Sequence, residues 1–404
     1  MTQAISRLGV GQGVMTQNGP VLPFDTPSGF VQQAYTFTFK LIDGVTGQFK
    51  RFLTPVANSI PQLSHDSTRT IKRQISLQLA VADTTAIDTI RDRVLISMVV
   101  GSTTYPLGKY TFSTNQRSLS TGGRQSAPTL MDEELILDEN TTSAFPPSNL
   151  VQRTATIQKN LSSFGTIVDR PVNANNLAHI LLSLYPNLTG IIEQSPFYTT
   201  ATWSFGTSGL QILSDIATLG DFFPPWMAND GLLHMIRTFD PAQVVPDFDW
   251  DAYPHVYADT ITEEDDLLSA PNRFIVVSNS ASTQDATSSN PDSSTIPPQA
   301  TNLAVIGTYD VPVNAPHSIQ NRGFVVSQVD NIQLDAQDQA IAVARTIGIQ
   351  STIYQRTSLT TFPDPRHDSY NVIRWQGRNW LELSWAMDLV AGGNMTHTLR
   401  RTYT

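Results

Sequence analysis

The chain has 404 residues, a formal net charge of −10, 40% hydrophobic and 15% charged residues, and no cysteine. Its length predicts two to four domains. The acidic balance argues against a protein that neutralises nucleic-acid phosphates, and the missing cysteines exclude disulfides, zinc–thiolate centres and cysteine nucleophiles.

Residues 1–30 are rich in Gly, Pro, Gln and Thr and read as an extended N-terminal arm, with neither the apolar core nor the cleavage pattern of a signal peptide. Gly9, Gly11 and Gly13 lack the spacing, the preceding strand and the Lys-Ser/Thr pair of a nucleotide loop. Strands begin near residue 31: Tyr35, Phe37 and Phe39 alternate with polar residues before Asp43-Gly44. Over 69–81 Ile71, Ile75, Leu77, Leu79 and Val81 alternate, with Arg73 the odd residue in the apolar row. Asp83 is placed to cap a short helix through Ile87 and Ile90, a strand follows at 93–100, and Gly101 turns the chain into TTYPLGKYTFST. Short strands are predicted across 118–165, among them Glu134–Asp138 and ATIQKN.

Asn176 to Tyr185 reads as a helix stopped by Pro186. Ser208 is placed to cap a second helix with Leu210, Leu213, Ile216, Ala217 and Leu219 at helical spacing, and Gly220 sits where a left-handed cap is wanted. Phe222, Phe223 and Trp226 flank Pro224-Pro225, Asn229-Asp230-Gly231 supplies hairpin chemistry, and 232–236 is the return strand. Residues 279–300 are low in complexity and read as an exposed, mobile loop. Strands resume near 302–309 and 323–329. A helix over 335–349 follows, capped by Asp335 and facing one side with Ile341, Ala344 and Ile347. Strands then alternate around Pro363-Asp364-Pro365-Arg366-His367, the last running from Met395 to Tyr403.

Several stretches together resemble the baseplate hub, or tail-associated minor tail, proteins of siphophages. They are the helix beside an Asp-Gly hairpin, Pro106-Leu107-Gly108 ahead of Tyr110 and Phe112, Pro363 to His367, and the closing Gly392 to Arg400. The chain departs from that pattern where Ser369-Tyr370-Asn371 replaces a Gly-Asp. The resemblance implies a mainly β fold with α+β segments: two tube-type β-barrels joined by small α+β domains. It divides the chain into an arm (1–30), a first barrel (31–165), a central α+β domain (166–260) and a second barrel (261–404). It further implies a homotrimeric ring at the tail tip of a virion, adapting six-fold to three-fold symmetry. The implied partners are the distal tail protein, the tape measure protein and other tail-tip or fibre proteins, with transient passage of DNA. Extensions that degrade cell wall are expected on other proteins.

No catalytic, cofactor-binding or metal-binding residue is expected. The seven histidines, at 65, 179, 234, 255, 317, 367 and 397, form no His-Glu-x-x-His pattern, and His234 on an apolar strand reads as a satisfied half-buried side chain. Gly206-Thr207-Ser208-Gly209 lacks the spacing of a nucleophile elbow. Glu263-Glu264-Asp265-Asp266 offers paired carboxylates for a tail-tip cell-wall hydrolase, but four adjacent acids read first as a solvated loop or helix start. Lys72-Arg73, Arg91 with Arg93, and Arg400-Arg401 are scattered rather than striped. Arg400 and Arg401 are candidate subunit contacts. A channel passing DNA should avoid unpaired cations, which makes Asp138, Glu139 and Asp330 the candidate channel-facing residues. A distal tail or receptor-binding component is the alternative within the same class. No stretch approaches the length of a membrane span.

Overall fold

The computed structural model describes residues between 35 and 401; residues 57–58, 81–86, 121–122, 143–144, 147–171, 186, 200, 252–255, 266–269, 279–304, 331–333, 335–336 and 352–354 lie outside the description, as do 1–34 and 402–404. The expected arm, the glycines at 9, 11 and 13, the caps Asp83 and Asp335, the ATIQKN strand and the 279–300 loop therefore fall outside it.

The first part supplies β1 (Tyr35–Asp43), β2 (Phe49–Leu53), β3 (Gln62–Asp66), β4 (Arg73–Ser76), β5 (Leu79–Ala80), β6 (Asp92–Val100), β7 (Thr103–Ser120) and β8 (Gly123–Asp132). The middle adds β9 (Val172–Asn173), β10 (Gly190–Ile192), β11 (Tyr198–Thr199), β12 (Trp226–Met227), β13 (Leu233–Met235) and β14 (Phe248–Asp249), with helices Ala174–Leu182 and Gly209–Gly220. The last part contains β15 (Val256–Asp265), β16 (Arg273–Ser278), β17 (Val305–Asp310), β18 (Val326–Asp330), β19 (Gln355–Thr361), β20 (Val372–Trp375), β21 (Arg378–Asp388) and β22 (Met395–Arg401), with helix Gln337–Ser351. The fold is mainly β with α+β segments.

Alternation builds the strands. In β6 every second residue is buried, placing Val94, Ile96, Met98 and Val100 in the core. The described pairings form one 14-stranded sheet in the order β15-β19-β22-β21-β3-β4-β8-β7-β6-β1-β2, with β5, β14 and β20 attached beside that path. The two ends of the chain meet where β21 pairs antiparallel with β3, Trp385 opposite His65 and Met387 opposite Leu63. Trp385, Met387, Leu389 and Met395 accordingly complete the core that β1, β6 and β7 begin. The strands from the C-terminal part supply apolar cover that the first part lacks, which is why the halves share a sheet.

The middle packs two helices over the small sheet β10-β13-β12. The Asn173 side chain accepts from Asn175 N, so the first helix starts at Ala174, two residues earlier than expected. Ser208 caps the second as expected, accepting from Gln211 N at 3.1 Å. Its left-handed terminal residue is Asp221 (φ 60°), not Gly220. Gly220 serves close packing instead: a Cβ there would meet the Phe222 ring at 2.5 Å and Ala174 Cβ at 2.8 Å.

Three further expectations are corrected. Glu134–Asp138 belongs to a helix, Glu134–Glu139, not a strand. The apolar run was too short to separate the two periods, and burial of Glu134 with Leu137 three residues on selects the helical one. Over its described part the helix expected to end at Ile90 is a turn, because the Asp88 carboxylate takes the amides of Ile90 and Arg91. Helix Gln337–Ser351 buries Ala340, Val343 and Ala344 and leaves Ile341 45% exposed. At about 100° per residue, Ile341 lies beyond the stripe that the others define against β16 and β17.

Candidate functional site

The residues that hold the two ends together form a buried polar junction. Arg73 opens β4, in register with the apolar residues that follow it, and its side chain is 1% exposed. Its Nη1 donates to Asn229 Oδ1 at 2.7 Å and its Nη2 to Asp368 Oδ1, while the guanidinium lies 5.5 Å from the Trp385 ring centre. Asp368 also accepts from Trp226 Nε1 (3.1 Å), Asn229 N (3.1 Å) and Ser369 N (2.8 Å). Asn229 Nδ2 donates to the carbonyls of Pro365 and His367, and Trp385 Nε1 to that of Asp368. The first part, the central hairpin and the 363–371 loop thus converge on one ion pair. Burying both charges costs several kcal/mol, offset here by pairing and by four further hydrogen bonds to the two side chains.

Beside it, consecutive acids from β8 into its helix each meet a group from the first part. Asp132 accepts from Arg73 N at 3.2 Å. Glu133 binds Lys109 at 2.6 Å and Arg93 at 3.2 Å. Glu134 accepts from Lys72 N at 2.9 Å and lies 3.5 Å from its ammonium. Burial, and the charge of Glu134, hold the Asp132 carboxyl well above the usual range. His65 is buried against Trp385, and neither ring nitrogen has a hydrogen-bond partner among the described residues. Burial holds it well below the ordinary imidazole value, with Arg73 and Lys72 adding repulsion.

Tyr370, in the Ser369-Tyr370-Asn371 stretch that departs from the tail-hub pattern, has a left-handed backbone with φ 58°. Its ring is stacked on Phe223 at 4.4 Å and meets Trp226 edge-on at 5.2 Å. Packing therefore holds a left-handed residue that sterics disfavour by about 1–2 kcal/mol. Gly108 of the Pro-Leu-Gly element also has positive φ (115°), and Tyr110 OH donates back to Leu107 O at 2.6 Å.

A second buried cluster lies where the 363–371 loop meets β21 and β22. His367 Nδ1 is 2.8 Å from Glu382 Oε2, and His397 Nδ1 is 2.5 Å from Glu382 Oε1. The His367 ring is stacked on Phe248 at 4.1 Å, and His397 meets Trp250 edge-on at 5.1 Å. Burial pushes Glu382 up to about 7 and His367 down to about 4.

The residues expected to act are dispersed. Arg400 is 6% exposed within β22, and burial pushes its guanidinium down to about 10. Arg401 lies over Trp380 at 5.3 Å with its Nε on Gln355 Oε1. Asp138 and Glu139 end the helix that was expected to be a strand, and Asp330 ends β18 in the separate β17-β16-β18 sheet. Clefts of 380 and 520 Å³ flank that helix, with Arg93 in both and Glu139 the one carboxylate lining them. Glu263, Glu264 and Asp265 lie on β15 opposite Thr357, Arg356 and Gln355, so this stretch is neither loop nor helix start; Asp266 lies outside the described residues. His234 is 3% exposed, with Nε2 3.0 Å from Asp230 Oδ2. The junction itself escaped the sequence reading. Its one signal was Arg73, a charge in an apolar row, which marks a buried residue with a distant partner.

No protein-family profile matches the chain, and no curated protein matches it. Solved structures do. A tail protein from Neisseria meningitidis superposes with a TM-score of 0.52 at 11% identity, over 91% of this chain and 96% of that one. The 43 kDa tail protein of prophage MuSo2 from Shewanella oneidensis superposes with a TM-score of 0.56 at 9% identity, over 91% and 98%. The chain shares the fold of these tail proteins over 91% of its length, in keeping with the tail-hub resemblance of its motifs.

Proposed function

We propose that the protein is a structural component of a phage tail, the baseplate hub that closes the tail tube at its tip. The observation that supports this most is the fold shared with two tail proteins over nearly the whole of each chain. A second support is mechanical. One sheet joins both ends of the chain, and a buried ion pair locks the joint, so a subunit can transmit load without hinging between its halves. In this reading three copies close a ring, each offering two similar units to a six-fold neighbour. The distal tail and tape measure proteins contact the ring, together with other tail-tip or fibre proteins, and DNA crosses it without specific binding. Glu139, Asp138 and Asp330 are the proposed acidic lining, and Arg401 with Arg400 the proposed subunit contact.

The protein acts without catalysis in this reading. What supports this is the fold it shares with tail proteins. Copy number in purified tails tests the proposal: quantitative mass spectrometry against the tape measure protein should give three chains per tip, located at the tip by cryo-EM. Six copies would reassign the chain to the distal tail position, and absence from tails would refute a virion role. Release of cell wall by the purified protein, lost in Glu263→Gln with Glu264→Gln, would instead support a hydrolase.

A further inference from the structure

His367, Glu382 and His397 gather three metal-type donors in one buried place. His397 Nδ1 faces Glu382 Oε1 at 2.5 Å and His367 Nδ1 faces Glu382 Oε2 at 2.8 Å. Thr361 Oγ1 lies 2.7 Å from His397 Nε2 and 2.9 Å from the Phe362 carbonyl oxygen, so it can partner Nε2 in either tautomer. When its hydrogen goes to Phe362, Nε2 carries the proton and the Nδ1 lone pair turns to the carboxylate, the arrangement in which a positive centre fits the gap between them.

We propose that His367, Glu382 and His397 form a three-ligand site for a divalent transition metal of the zinc class, with the fourth position left to a water, tying the 363–371 loop to β21 and β22. The three donor atoms lie within 4.8 Å of one another and all three residues are buried. Two imidazoles and a carboxylate suit zinc and its neighbours, whereas magnesium and calcium select oxygen donors. A metal about 2.0–2.2 Å from each donor spaces tetrahedral ligands at about 3.3 Å, so Glu382 retreats from each nitrogen by less than an ångström. Thr361 supplies the outer partner that sets the tautomer of a ligating histidine, and Phe248 fixes the His367 ring plane. The nearby carboxylates of Asp247 and Asp364 act electrostatically on both His367 and Glu382 and favour added positive charge. The loop held in this way carries Asp368, so the metal would brace the Arg73 junction.

The alternative occupant of the gap is a proton, and metal analysis separates the two. The full chain is produced in medium supplemented with zinc, and in parallel with cobalt, then passed through a desalting column and analysed by elemental mass spectrometry. The expected result is about one metal per chain. The cobalt form should show visible d–d absorption of a nitrogen- and oxygen-ligated tetrahedral ion. His397→Gln and Glu382→Gln, checked for folding by circular dichroism, should lower retained metal at least tenfold. If one variant fails to fold, the other variant and the cobalt spectrum still decide. Folded wild-type protein with less than about 0.1 metal per chain and no visible bands overturns the proposal in favour of a shared proton. Metal retained undiminished in a folded variant overturns it equally.

Discussion

Changing Asp368 to Asn removes one charge from the junction and almost no volume. Its Oδ1 accepts from Arg73, Trp226 and Ser369, and its Oδ2 from the Asn229 amide. The better amide orientation keeps the carbonyl toward three donors and turns the NH₂ toward Asn229 N. That leaves one donor facing a donor, at about 1–3 kcal/mol, and strips Arg73 of its counter-charge in a buried site. The sum falls at the upper end of the roughly 3–5 kcal/mol expected when one partner of a buried pair is lost. Arg73→Met should fall at the lower end, because Asp368 keeps three hydrogen bonds. The double variant should then cost less than the sum of the singles, by about 0.5–3 kcal/mol of coupling. Urea unfolding followed by tryptophan fluorescence measures this directly, since Trp226 and Trp385 both hydrogen-bond to Asp368. Asp310→Asn is the control: it removes the charge from the exposed bidentate pair with Arg273, which solvent screens, and should leave the urea midpoint nearly unchanged. An Asp368→Asn loss no larger than this control would refute the reasoning that the junction locks the halves together.

Tyr370→Gly should destabilise, because losing a buried aromatic costs about 3–5 kcal/mol and relieving the positive φ returns only about 1–2 kcal/mol; equal or higher stability in urea would show that strain dominates. Gly220→Ala should cost about 1–3 kcal/mol through the forced contact with Phe222 and Ala174, measured by the same unfolding curve. His65 is neutral in the folded chain and ordinary in the unfolded one, so the unfolded state binds more protons below about pH 6.5. Stability should therefore fall as pH drops from about 6.5 toward the depressed folded value, and His65→Phe should flatten that part of the profile. An unchanged slope between about pH 6.5 and pH 5 would mean that His65 does not titrate with folding.

Much of the local structure was legible in the chain. Alternation at Ile75, Leu77 and Leu79 marked the strands of the first part, Ser208 marked its helix, and Asn229-Asp230-Gly231 marked the hairpin, because each depends on a few neighbouring residues and their backbone preferences. The motifs around Pro106, Pro363 and Gly392 pointed to the tail fold that the superposed structures share. Where the local signal was balanced, as at Glu134–Asp138, only packing against the middle of the chain chose the helix. The pairing of β3 with β21, the ion pair between residues 295 positions apart, and the histidines gathered on Glu382 were decided by tertiary structure alone. The physical reason lies in range: strand and helix periods are set within one or two turns of chain, whereas the partner of a buried charge is set by which surfaces meet after the sheet has formed. Arg73 shows both sides, its burial written in the alternation around it and its partner, Asp368, settled only by the fold.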